Sequence, residues 1–407
     1  MGGSDEYSTS LRCRPEGPLT PYIDAFSRLL STQGYSRASI LLYTRLVADF
    51  SRWLKNKNVS EDEITADHAG RYLRTRARPA RGGASTLKQL LNLLQQEGVI
   101  KEQTPLERST PAQRVLDEYA SYLRQERELM DHALRNYVRM AHCFLMGRFG
   151  SRPPRLSLLK AADVVKFVRR QAVRRSPQAT KLVTTALRSF LAYARYRGYI
   201  TTDLAVAVPT VANWSMAPIP RSISPDHAQR LLAHCAQSAV GRRDYAILLL
   251  LARLGLRASE VAFLKLEDIN WEAGCLRVRG KGGHRSELPL PIDVGEAIAA
   301  YLQFGRPVSA SRHVFLRARA PIRGFTVADA VGLVVRRAFA RAGIDSPRRG
   351  AHQFRHALAC KMLREGASLF EIGEILRHRS PQTTAIYAKV DLESLRPLAF
   401  PWPGGMR

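Results

Sequence analysis

Residues 22–54 (YIDAFSRLLSTQGYSRASILLYTRLVADFSRWL) and 115–149 (VLDEYASYLRQERELMDHALRNYVRMAHCFLMGRF) carry acidic, apolar and aromatic residues in the same order. Asp24, Phe26, Tyr43 and Phe50 of the first align with Asp117, Tyr119, Tyr137 and Phe144 of the second. The match continues from TADHAGRYL (65–73) to AADVVKFV (161–168), and from LKQLLNLLQQEGVI (87–100) to LRSFLAYARYRGYI (187–200). Apolar residues recurring at helical spacing give every segment one buried face. Each copy therefore reads as about four helices closed by a glycine and an apolar pair. Amphipathic helices force similar patterns on unrelated chains. Shared order, spacing and a closing Gly-Val-Ile or Gly-Tyr-Ile nevertheless point to duplication, and two copies of so long a period make a pair of domains rather than a solenoid.

These copies set the domain boundaries. Residues 1–18 read as a disordered lead, 19–105 as the first helical domain and 110–205 as the second. A linker over 206–223 carries Pro209, Pro218 and Pro220, and Ser224-Pro225 then caps a helix, PDHAQRLLAHCAQ. From there the period changes. Helices over 243–254 and 258–265 lead to β-type runs, CLRVRG (275–280) and ELPLP (287–291), joined across a Gly-Gly turn, with HVFLR (313–317) as a third short strand. A third domain over 224–395 and a tail over 396–407 complete the chain. The expected fold is mainly α with a small β-sheet.

No apolar run reaches the roughly 18 positions that a membrane span needs; YAILLLLARLGL (245–256) is too short and holds an arginine. The N-terminus has no apolar segment of a secretory signal. Cysteines 13, 143, 235, 275 and 360 are scattered and form no C-x-x-C pair, as expected of reduced thiols in a cytoplasmic protein without a cysteine-based zinc site. Charge narrows the partner: 63 Lys and Arg against 35 Asp and Glu leave +28, spread over several segments rather than one basic helix or tail. That pattern suits a polyanion lying along much of the protein, and nucleic acid is the usual one.

Near the C-terminus, AHQFRH (351–356) and LRHRSPQTTAIY (376–387) gather histidine, arginine and tyrosine. A zinc site, a nuclease and a phosphate-attacking tyrosine are all conceivable. His352 and His356 have the i, i+4 spacing of zinc ligands but lack the glutamate of H-E-x-x-H. A tyrosine that attacks phosphorus needs guanidinium groups on the nonbridging oxygens and an acid for the departing 5′ oxygen. Such a chain should hold two arginines, a lysine, one or two histidines and a late tyrosine, with no metal required.

Four patterns match that list: LGLRASEVAFLKLEDI (254–269), VRGKGGHRSELPLP (278–291), the AHQFRH box, and RHRSPQTT with its tyrosine. Together they resemble the tyrosine recombinases, the phage-integrase family of DNA strand-exchange enzymes. The resemblance implies that Arg257, His352 and Arg355 address the scissile phosphate, that Lys281 on a β-hairpin turn protonates the leaving 5′-hydroxyl, and that Glu260 braces the site. It makes His378 a phosphate hydrogen-bonder and Tyr387, nine residues later, the nucleophile. It also implies no cofactor or metal ion, double-stranded DNA as partner, and self-association as a dimer on a site and a tetramer in synapsis. The second helical repeat looks like the family's core-binding domain. The additional first repeat resembles that of longer recombinases encoded by mobile elements, some in tandem with sister recombinases.

Two residues depart from the family pattern. Gln353 stands where many members carry Asp, and Arg377 replaces a usual glycine beside His378, which puts the local backbone in question. A type IB topoisomerase shares the same chemistry, and a catalytically silent DNA-binding accessory protein is a further alternative.

Overall fold

Both repeat copies fold as four helices, and the aligned residues fall at equivalent places. The first copy forms α1 (Ile23–Thr32), α2 (Arg37–Lys55), α3 (Ala66–Thr75) and α4 (Gly83–Gln96). The second forms α5 (Pro111–Gln125), α6 (Asp131–Phe149), α7 (Ala161–Arg174) and α8 (Pro177–Tyr196). This is a computed structural model that describes residues 16–390 except 77–81, 101–109, 130, 151, 212–221, 236–237, 281–284, 347–348 and 379. Phe26 and Phe50 are buried in one core, Tyr119 and Phe144 in the other, while Asp24 and Asp117 face solvent. The closing turns also agree. Gly98 and Gly198 both have φ of +74°, the left-handed region that ends helices and favours glycine. The next amide of each donates back into its helix, Val99 to Leu94 and Tyr199 to Ala194, both at 2.9 Å.

The third region starts where the sequence places a cap: Ser224 Oγ accepts from His227 N at 3.2 Å and opens α9 (Pro225–Ala233). The leucine-rich α10 (Ala239–Leu254) is the buried centre of this region, and α11 (Ala258–Ala262) follows. α11 stops before the expected 265, where Lys265 already caps a separate 3-10 turn, its amide donating to the Asp268 carboxylate at 2.9 Å. The sheet is antiparallel in the order β1 (Ile269–Asn270), β2 (Cys275–Arg279), β3 (Arg285–Pro289). Leu276 and Val278 of β2 point into the core, and Leu276 pairs with Leu288.

The segment 313–317 is not the third strand; Ile269–Asn270 is. Only isolated bridges, Lys265 to His313 and Leu316 to Gly324, touch the expected run. Its carbonyls go instead to two arginine side chains: Arg306 donates to His313 and Val314, and Arg243 to Leu316. The remaining elements are α12 (Ile292–Phe304), α13 (Asp329–Arg341), α14 (His352–Arg364), α15 (Leu369–Ile375) and α16 (Pro381–Thr384), with a 3-10 turn over Ala385–Val390.

The chain divides into two compact units, one joining residues 1–101 to 218–407 and the other spanning 102–217. Inside the first unit the helical repeat keeps its own core but touches the third region. Ile322 N donates to Gln33 O at 2.8 Å. Neighbouring Gly34 has φ of +77°, and a Cβ there would lie 2.6 Å from Ile322 Cγ1, so only glycine fits this approach. Among the described residues no helix is long and apolar enough to cross a membrane.

Candidate active site

Arg257 owes its position to the end of α10. Gly255 turns the chain at φ +56°, and a Cβ there would come within 2.9 Å of Leu358 and Leu376. Two residues later Arg257 is the N-cap of α11, where its amide donates to Glu260 Oε2 at 2.8 Å. The guanidinium folds onto the same carboxylate, Nη1 to Oε1 at 2.7 Å, and its Nη2 donates to the carbonyl of Arg377 at 3.1 Å. Glu260 is almost fully buried, so its charge depends on these partners.

Arg377 supplies the other half of the grip. Its Nη2 donates to Glu260 Oε2 at 3.0 Å, so one buried carboxylate is held between two arginines. Its backbone has φ of +56°, the conformation a glycine would adopt without strain. The departure noted in the sequence therefore leaves the turn intact, and the side chain acquires an ion-pair partner. Arg377 Nε is buried without a hydrogen-bond partner.

Arg355 lies on α14, buried, with Nη1 donating to Gly255 O at 2.7 Å and Nη2 to Leu376 O. Two carbonyls from distant elements thus fix the plane of its guanidinium. Burial, then the charges of Arg257 and Arg377, pushes its pKa down to about 10. A bound phosphate would supply the anion that this crowd of cations lacks. His352, at the start of α14, faces solvent, and desolvation with the Arg355 and Arg257 charges holds its pKa below the ordinary value. Gln353 is buried, and its carbonyl accepts from Ile223 N at 3.5 Å.

His378 Nδ1 engages Thr384 Oγ1 at 2.7 Å. Burial, then Arg355, Arg257, His356 and Arg377, pushes its pKa down to about 4, so the imidazole is neutral near pH 7. Its ring lies parallel to that of Tyr387, with centroids 6.4 Å apart. Tyr387 sits in the 3-10 turn, 1% exposed, packed with Ala359, Cys360, Ile372 and Leu376. Burial raises its phenol to about 12 against the opposing pull of Arg355. The phenol oxygen lies 2.9 Å from His356 Nδ1.

The fold thus gathers Arg257, Glu260, Arg355, His378 and Tyr387 around α14, with His352 at its start. Lys281 lies outside the described residues, between β2 and β3. Sequence reasoning assigned no site role to His356 or Arg377. The signals were the second histidine of H-x-x-R-H and an arginine where glycine is usual. Among the described residues no group of three or more His, Cys, Asp or Glu is arranged to hold a metal ion. Two guanidinium forks, a neutral imidazole and a phenol suit an attack on a phosphodiester.

Comparison with known proteins points the same way. Residues 221–393 match the phage integrase family, and residues 23–98 match the phage integrase N-terminal SAM-like domain. A putative integrase/recombinase, y4rA of Sinorhizobium fredii, is 52% identical over 96% of both chains. Two solved structures share the fold at 18% identity. One is XerH bound to palindromic difH in a post-cleavage complex, with a TM-score of 0.56 over 73% of this chain and 98% of that one. The other is a lambda integrase tetramer bound to a Holliday junction, with a TM-score of 0.52 over 76% and 87%.

Proposed function

Since the chain belongs to the phage integrase family and is a tyrosine recombinase, we propose that it cuts and rejoins duplex DNA through a 3′-phosphotyrosyl bond at Tyr387. The observation that carries this reading is the convergence of Arg257 and Arg355 on the segment bearing His378 and Tyr387. In the proposed reaction the Tyr387 oxygen attacks phosphorus, the P–O5′ bond breaks, and Lys281 protonates the departing 5′ oxygen. Arg257 and Arg355 hold the nonbridging oxygens with fixed N–H donors, the arrangement that stabilises charge as it develops. Neutral His378 donates a hydrogen bond to the same phosphate, as does His352. Religation reverses the steps, so bond energy is kept.

The lambda integrase tetramer on a Holliday junction supports the same assembly for this chain, a dimer on each DNA site and a tetramer in synapsis; we place it in the cytoplasm, serving a mobile element. The repeats over 19–105 and 110–205 grip the duplex while 224–395 carries out the chemistry. In the first repeat, Trp53, Lys57, His68, Arg71 and Arg74 line an open cleft of about 540 Å³, a basic and aromatic surface suited to a DNA backbone.

The test uses the full-length chain and a nicked suicide duplex. The duplex carries a site selected from random DNA by binding to that chain. The parent should form an SDS-resistant covalent adduct, in excess EDTA as well. Tyr387→Phe should bind this DNA and form none. An adduct of undiminished yield from the Phe variant refutes the assignment.

A further inference from the structure

The proposed attack leaves one proton without a destination. Tyr387 is a phenol at neutral pH, and its burial makes the phenolate harder to form than in water. The oxygen becomes a competent nucleophile only as the proton departs, so a nearby acceptor governs the step.

Few groups around the ring can take it. Glu260 has both carboxylate oxygens engaged by Arg257 and Arg377. Arginine does not act as a base, and His352, solvent-facing at the start of α14, is engaged with the phosphate in the proposed reaction. His378 has Nδ1 on Thr384 and lies with its ring parallel to that of Tyr387, leaving Nε2 for the phosphate. His356 is different. Its Nδ1 sits 2.9 Å from Tyr387 Oη, within the reach required of a general base, and its ring meets the phenol edge-on at 63°. It is one turn along α14 from His352, next to Arg355, so a single helix carries one arginine of the phosphate clamp and this imidazole.

We propose that His356 is the general base that activates Tyr387, accepting the phenol proton at Nδ1 as the oxygen attacks the scissile phosphate. The inference rests on Tyr387 being the nucleophile. The balance is simple. The Tyr387 O–H bond breaks and its proton forms an N–H bond at Nδ1 of a His356 that enters the step as the Nε2–H tautomer. The freed oxygen pair forms the O–P bond, and the P–O5′ pair leaves on the 5′ oxygen, which takes its proton from the acid on the far side. In religation the imidazolium returns its proton to the departing phenolate.

The same geometry ties activation to DNA. In the free protein an imidazolium at His356 would form beside Arg355, its neighbour on α14. That charge opposes it. A phosphodiester seated between Arg257 and Arg355 brings the missing negative charge, and the proton transfer becomes favourable when substrate arrives. The nucleophile stays protonated until then.

The test measures single-turnover cleavage of the selected suicide duplex by the full-length chain. His356→Asn keeps a polar atom near the place of Nδ1 but cannot take a proton. Its adduct formation should fall about 10²-fold or more, the usual scale for losing a general base, with DNA affinity unchanged. A duplex whose 5′ bridging oxygen is replaced by sulfur has a leaving group that needs no proton. It should not restore His356→Asn, although it bypasses any group acting as the acid. A parental cleavage rate in His356→Asn overturns the proposal, and so does rescue by the sulfur substrate. Should the Asn variant unfold, nitrogen NMR of the parent and of Tyr387→Phe decides. Proton-free Nδ1 on His356 in the parent, with a resonance that moves on loss of the phenol, supports the base. A proton resident on Nδ1 overturns it. If Tyr387→Phe itself forms adduct, the nucleophile assignment fails independently of how His356 behaves.

Discussion

Replacing Arg377 separates backbone strain from the ion pair it accompanies. The residue holds φ of +56°, where an L side chain costs roughly 1–2 kcal/mol. Its guanidinium, 12% exposed, donates to a Glu260 side chain that is 1% exposed. Arg377→Ala keeps the strain and removes the pair. Breaking a buried pair costs up to about 3–5 kcal/mol when the partner is stranded. Here Glu260 retains Arg257 Nη1 at 2.7 Å and the Arg257 amide at 2.8 Å, and removing one of several crowded cations eases the repulsion on Arg355. The expected loss for alanine is therefore about 2 kcal/mol, below that bound. Arg377→Gly removes the same pair but sheds the strain, against roughly 0.5–1 kcal/mol of additional chain entropy. Glycine should thus be more stable than alanine by about 0.5–1 kcal/mol, about 1 °C in a transition of this size. Scanning calorimetry of the full-length parent and both variants reads that order. Equal melting of the two, or alanine above glycine, would show that the left-handed turn is not strained and the reasoning is wrong.

Arg257→Ala and Arg355→Ala should each slow adduct formation by about 10²-fold or more, the scale for one preorganised donor. Arg355→Ala should also lower the melting temperature because it frees two buried carbonyls, whereas Arg257→Ala leaves Glu260 with Arg377. The pKa of His378 in the folded protein, about 4, lies below its ordinary 6.5. The unfolded chain therefore binds the extra proton first, and stability should fall as pH drops from 6.5 towards 4. A His378→Gln variant, melted across that window, should show a shallower loss. In the first repeat, Arg71→Gln with Arg74→Gln should flatten the log–log salt dependence of DNA affinity by about 0.9 for each phosphate no longer neutralised. An unchanged slope would assign that cleft to something other than DNA.

The sequence by itself determined what depends on neighbours a few residues apart. Helical period fixed the two four-helix copies, Gly98 and Gly198 closed them with the same φ, and Ser224 capped α9 as its position required. The i, i+3 spacing of His352 and Arg355 set them on one helix, and the nine-residue step from His378 to Tyr387 brought those rings together. Tertiary structure decided what spacing does not encode. The Arg257 donor on the Arg377 carbonyl crosses 120 positions, and the Arg377 pair with Glu260 crosses 117. No local pattern marks which N–H of a guanidinium a distant carbonyl will take. The expected strand at 313–317 failed for the same reason, since Arg306 and the distant Arg243 take the carbonyls of His313, Val314 and Leu316 that a ladder would need. His356 shows the limit most clearly. On the helix it is one more polar residue, and its contact with Tyr387 exists only because α14 and the closing 3-10 turn pack together through Cys360, Ile372 and Leu376.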